Sequence, residues 1–215
     1  MTCLPLPRGG EGWGEGKKRM SSSMGPFDEL ILASTSGARR ALMEGLGLPF
    51  RIVAPEVHEN VPAGTPAQHA VAMLSERKAR AVANRFPRAL VIGSDQLVAA
   101  GGQTLGKPED EAAARRQLGS LRGKTHEIHT GLSVIGPGFI ETEIDTAKLT
   151  VLPLSDAELD GYVATGEWQG CAGGYRVESR GQAIFARIDG DRAAIQGLPM
   201  QRLTRMLRDA GVQFF

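Results

Sequence analysis

From Glu29 onward, short apolar runs alternate with stretches of helical period, and this alternation confines the chain to an α/β architecture. Leu30-Ile31-Leu32-Ala33 has the length and composition of a buried strand and is broken by Ser34-Thr35-Ser36-Gly37. The helix after it is expected to turn Ala38, Ala41, Leu42 and Leu46 inward and to end at Gly47 and Pro49. Residues 50–54 read as a second strand and 66–84 as a long helix. Residues 89–99 form the most apolar strand, although it carries Ser94, Asp95 and Gln96. A helix over 109–121 stops at Gly123, and 125–135 with 139–152 form a hairpin closed by Gly136-Pro137-Gly138. Ser155 and Glu158 supply a capping box for a helix reaching residue 164. The last helix starts near Pro199, turns Leu203, Met206, Leu207 and Ala210 inward, and ends at Gly211. Strand–helix units combined with a hairpin predict a single α/β domain, a mixed, elongated β-sheet flanked by helices.

Residues 1–26 stand apart from residues 27–215, which hold the domain. Gly9, Gly10, Gly12, Gly14 and Gly16 lead into Lys17, Lys18, Arg19 and three serines, without apolar periodicity. Such a stretch buries too little surface to offset its chain entropy. It reads as a disordered tail, as a basic arm for an acidic partner, or as an upstream start, since Met20 and Met24 precede the first strand. Across 215 residues, 25 basic and 24 acidic side chains leave a formal charge of +1. That balance argues against a nucleic-acid partner and makes any anion site local. No apolar run approaches the roughly 18 residues of a membrane helix. Two cysteines, Cys3 and Cys171, fit a reducing compartment, so a cytoplasmic protein is expected.

Three local patterns fail on inspection. Gly119 to Thr125 imitates a phosphate-binding loop but is one residue short and follows a helix instead of a strand. His126 and His129, three apart on a strand, point to opposite faces, and the stretch is one residue short of the zinc-protease pattern. Cys171 has no obvious base near it in sequence and reads as a packing residue.

A different set of residues carries chemistry. A strand, a hydroxyl loop and a helix start offer free backbone N–H groups to an anion, and Ser34 and Ser36 sit there. Arg39 and Arg40 follow in the first helical turn, where a cation opposes the helix dipole unless a polyanion lies between. Lys78 falls among inward positions of the 66–84 helix, either snorkelling at its edge or facing a cleft. Asp95 lies inside an apolar strand and must meet a cation, a metal or a water that it activates. Glu59 and Lys107 add a carboxylate and a cation from loops. Together these groups suit a triphosphate with a divalent ion.

These residues resemble those of the Maf family of nucleoside triphosphate pyrophosphatases. The resemblance runs through Leu32-Ala33-Ser34-Thr35-Ser36-Gly37-Ala38-Arg39-Arg40, Pro55-Glu56-Val57-His58-Glu59, Glu76-Arg77-Lys78-Ala79, Gly93-Ser94-Asp95-Gln96, Gly106-Lys107-Pro108 and Gly197-Leu198-Pro199, over about residues 29 to 211. Gly93-Ser94-Asp95-Gln96 and Cys171-Ala172-Gly173-Gly174-Tyr175-Arg176-Val177-Glu178 look like the 7-methyl-GTP branch of that family. The sequence departs from the family pattern at Gly37, Ala38 and His58.

The resemblance implies an active-site cleft between two lobes and hydrolysis of a nucleotide, 7-methyl-GTP, to a monophosphate and pyrophosphate. Asp95 would activate water, and Ser34, Ser36, Arg39, Lys78 and Lys107 would hold phosphates. Glu59 and Asp95 would hold Mg²⁺ or Mn²⁺ or its water. Arg176 and Glu178 would read the base, with Tyr175 or Trp168 stacking on it. A homodimer is also implied. The alternatives are a pyrimidine or broad noncanonical nucleotide pyrophosphatase, or a non-catalytic nucleotide- or DNA-binding regulator of septum formation.

Overall fold

The computed structural model describes residues 23–215; the tail, basic-arm and upstream-start readings of the extension fall largely on 1–22, outside the described residues. The strands are β1 (Leu30–Ala33), β2 (Arg51–Ile52), β3 (Leu90–Ala100), β4 (Gln103–Leu105), β5 (Thr125–Gly136), β6 (Phe139–Val151) and β7 (Phe185–Asp189). The helices are α1 (Gly37–Glu44), α2 (Ala67–Ala83), α3 (Glu111–Leu121), α4 (Asp156–Val163), α5 (Arg192–Ile195) and α6 (Met200–Asp209). They form one mixed sheet in the order β2-β1-β3-β5-β6-β7, with β4 added to β3. β1 runs parallel to β2 and β3; every other pairing is antiparallel.

Alternation along the strands divides the core. Ile31, Ala33 and Val91 face α2 and pack on its Ala79 and Val82. On the opposite face, Leu30, Leu32 and Ile92 meet Met43 of α1 and Leu203, Met206 and Leu207 of α6. Farther along that face, Val98, Ile128 and Leu149 are covered by Leu118 and Leu121 of α3 and by Leu159 of α4. α2 forms because it holds no glycine or proline and repeats inward positions at 70, 71, 74, 75, 78, 79 and 82. It lies so close to the sheet that a Cβ on Gly93 would strike Ser75 O, and one on Gly131 would strike Val71 O. Both glycines are required by close approach, and that approach sets the height of Lys78 above β3.

Two expectations are corrected. The expected second strand shrinks to Arg51–Ile52, both exposed, because only β1 pairs with it. In α1 the fully buried residue is Met43, with Leu42 and Leu46 partly buried and Ala41 exposed, since this short helix rests only its far end on the core. The capping box at Ser155 and Glu158 and the inward face of α6 are present. No helix among the described residues is long and apolar enough to cross a membrane.

Candidate active site

The site is a gap in the sheet. β5 pairs with β3 from Val91 to Ala99, filling one edge. On the other edge β1 covers Leu90 to Gly93 and β4 covers Val98 to Ala100. Between them, Ser94, Asp95, Gln96 and Leu97 have no neighbouring strand on that edge among the described residues. The chain leaving β1 therefore enters its hydroxyl loop beside Asp95.

Side chains alternate about this gap. Asp95 faces α2, where Lys78 Nζ donates to its Oδ1 at 2.5 Å. The same ammonium lies 2.6 Å from Glu59 Oε1 in the loop before α2. Lys78 is buried, so its inward position in the helix is a cleft position. Two carboxylates thus share one ammonium, and the Arg39 guanidinium is close enough for both of their charges to act on it. The Lys78 hydrogen bond, more than any other contact, holds Glu59 below the usual carboxylate range, against the opposing effect of its partial burial. The charge of Lys107, exposed just after β4, adds to that effect.

Ser94 and Gln96 point the other way. Ser94 Oγ shares its one proton between Gly197 O at 2.7 Å and Gly131 O at 2.9 Å. Gln96 Nε2 donates to Ala194 O and Ile195 O, each at 2.9 Å, tying α5 to the gap. Gly197 sits at φ +104, a conformation open to glycine, and its carbonyl also accepts from Arg39 Nε at 2.8 Å. Arg39 Nη1 reaches Ser34 Oγ at 3.4 Å, and the Ser36 amide donates to that same oxygen at 3.2 Å. Ser36 caps α1, accepting from the Arg39 amide. Burial lowers the Arg39 pKa from its ordinary value, while the charges of Asp95 and Glu59 oppose the drop. Arg39 is thus a fixed, desolvated guanidinium next to a helix N-terminus, an arrangement suited to an oxyanion. Arg40, by contrast, is exposed and pairs with Glu44.

The structure brings Ser34, Ser36, Arg39, Glu59, Lys78 and Asp95 together. Arg176 and Glu178 lie 3.6 Å from one another on the segment after the short 3₁₀ turn at Ala172–Gly174, whose Gly173 amide donates to Gly106 O, next to Lys107. The stacking expected of Tyr175 and Trp168 is overturned: both rings belong to the core. Tyr175 OH bonds His126 Nε2 at 2.6 Å, and Trp168 Nε1 donates to Val163 O. His126 and His129 face opposite sides as their spacing requires, the latter bonded to Thr146. Among the described residues, no group of three or more His, Cys, Asp or Glu side chains is arranged to hold a metal ion.

A gap lined by a buried acid, a buried lysine and a helix N-terminus with a desolvated arginine has the chemistry to suit a phosphorylated ligand. The model of the Maf family, described as Maf-like protein, matches residues 29–210, and the chain belongs to that family. A Symbiobacterium thermophilum protein named dTTP/UTP pyrophosphatase is 40% identical, over 88% of this chain and 97% of its own length. An Albidiferax ferrireducens protein named 7-methyl-GTP pyrophosphatase is 40% identical, over 86% and 94%. One of the same name from Xanthomonas campestris pv. campestris is 42% identical, over 85% and 96%.

Proposed function

We propose that this chain is a nucleoside triphosphate pyrophosphatase that releases a monophosphate and pyrophosphate, with 7-methyl-GTP as its substrate. The observation that carries the chemistry is Asp95, held by Lys78 in an unpaired stretch of sheet edge beside the Ser34–Arg39 loop. A module that only bound phosphates would need the cations but not this acid.

Lys78 occupies Asp95 Oδ1, which leaves Oδ2 to take the proton of a water attacking the anhydride. Ser34, Ser36 and the α1 amides hold phosphate oxygens, and Arg39 offers its fixed guanidinium to the charge that builds on the leaving pyrophosphate. Lys107, whose charge acts on Glu59, is the further cation offered to the phosphates. Glu59 and Asp95 suit a hard divalent ion, because Mg²⁺ is commonly held by one or two carboxylates together with substrate phosphates. Bound there, Mg²⁺ or Mn²⁺ would supply charge neutralisation across the phosphates.

The substrate reading is supported by the Gly93-Ser94-Asp95-Gln96 and Tyr175-Arg176-Val177-Glu178 patterns and by relatives named for 7-methyl-GTP. Glu178 is partly exposed and can accept from the N1–H and N2 edge of guanine, favouring the cationic methylated ring. A pyrimidine substrate is the second reading, favoured by the dTTP/UTP name of an equally similar relative.

The test is pyrophosphate release with Mg²⁺ or Mn²⁺ from 7-methyl-GTP, GTP, dTTP, UTP and CTP. Asp95→Asn should fold, bind nucleotide and lose at least ~10²-fold in turnover, the low end for a general base. Near-normal turnover removes Asp95 from that role. Preference for pyrimidines keeps the chemistry and discards the reading of Glu178.

A further inference from the structure

Glu59 reaches the site from a loop with little to hold it. Residues 53–66, between β2 and α2, have no regular structure and are mostly exposed. At the centre of this loop the anchors come from one helical dipeptide. Lys78 takes the Glu59 carboxylate, and Arg77 Nη1 donates to His58 O at 2.7 Å and to Asn60 O at 2.8 Å. The two carbonyls flank Glu59 in sequence, so one guanidinium nitrogen grips the backbone on both sides of the carboxylate that its neighbour binds. Arg77 itself is half-buried.

We infer that Arg77 is a positioning residue whose grip on the His58 and Asn60 carbonyls delivers the Glu59 carboxylate to Lys78 and Asp95. It touches no reacting group and acts only through Glu59, so the inference depends on the part given to Glu59 above. Two cations adjacent on α2 thereby divide their work. Lys78 faces the gap and binds acid side chains, while Arg77 faces outward and binds main chain. Because charge-assisted hydrogen bonds to carbonyls are directional, a side chain without donors leaves the loop free to carry Glu59 out of the site.

Two measurements test this on the full chain. Under limiting substrate, Arg77→Ala should lower kcat/KM about tenfold, the loss expected from about one charge-assisted hydrogen bond. In a Glu59→Gln background the same substitution should change it by less than about twofold, since the group being positioned is gone. Equal losses in both backgrounds, or no loss in the first, overturn the inference. The second measurement needs no substrate. A glutamyl endopeptidase must take the Glu59 carboxylate into its own pocket, so cleavage after Glu59 should quicken about tenfold or more in Arg77→Ala at unchanged melting temperature. Unchanged cleavage overturns the inference. If the wild-type chain hydrolyses no nucleotide, the functional reading fails while the cleavage assay still decides the grip. Should Arg77→Ala not fold, Arg77→Met, which keeps the stem and has no donor, is read by the same assays.

Discussion

Lys78 Nζ and Asp95 Oδ1 meet at 2.5 Å with each side chain only 9% exposed, but the two partners are not equivalent. Lys78 has a second carboxylate in Glu59, whereas Asp95 accepts no hydrogen bond from any other side chain among the described residues. Lys78→Met strands a buried carboxylate and should cost about 3 kcal/mol or more in urea denaturation. Asp95→Asn, which leaves Lys78 paired with Glu59, should cost clearly less. Equal losses would show that Glu59 gives Lys78 no effective second partner.

Burial pushes the His126 pKa down to about 4, and its Nδ1 has no hydrogen-bond partner. The unfolded chain takes up that proton near the ordinary value of 6.5, the folded chain only near 4. Stability from keeping His126 neutral is therefore full above pH 6.5 and declines as pH falls through that window to about 4. The loss should total about 3 kcal/mol at ~1.4 kcal/mol per unit. Stability measured against pH for wild type and His126→Gln should differ by that slope. Parallel curves would place the imidazole in contact with water.

Gly131 opposes Asp95 on β5 and lies under Val71 O. Gly131→Ala must lift α2, because the two nearest obstructing atoms, Val71 O and C, are backbone, and Ser75 Oγ is also only 2.9 Å from the new carbon. A cost of about 1–3 kcal/mol is expected from overpacking. Turnover should also fall, since Lys78 rides on the lifted helix. Loss of stability with full turnover would separate the helix position from the site.

Arg39 spends Nε on Gly197 O, which orients the rest of the guanidinium toward Ser34. Lysine keeps the charge but cannot satisfy both. Arg39→Lys should raise KM by about tenfold or more with a smaller change in kcat, read from steady-state kinetics. An unchanged KM would show that charge alone suffices there.

Elements with strong periodicity or a full cap were legible in the sequence: β1, α2, the β5–β6 hairpin, the Ser155 box and α6. β4, β7 and α5 were not. β4 is three residues and β7 a five-residue edge strand with two inward positions, too short to display a period. α5 is a single turn, capped locally by Asp191 but held by Gln96 and Thr130, which bind its carbonyls from the sheet, a tertiary contribution. In the site, charged and hydroxyl residues were visible by type and order. Arg77 and the Gly197 carbonyl were not, because each acts through main-chain oxygens, which every residue has. Trp168 and Tyr175 misled for a related reason: the sequence shows an aromatic ring but not which wall of the core it fills.

The break in the β3 edge has a consequence for solubility. Four residues without a partner span about 13 Å at ~3.3 Å each, long enough to seed pairing with a strand from another molecule. Asp95 stands in the middle of that stretch, and a second strand laid there would have to bury its carboxylate and the Lys78 ammonium beneath foreign backbone. Placing the acid proposed to activate water at this break thus makes covering the edge costly. Variants that neutralise it to study turnover lower the cost of covering that stretch, so their self-association should be checked beside their turnover.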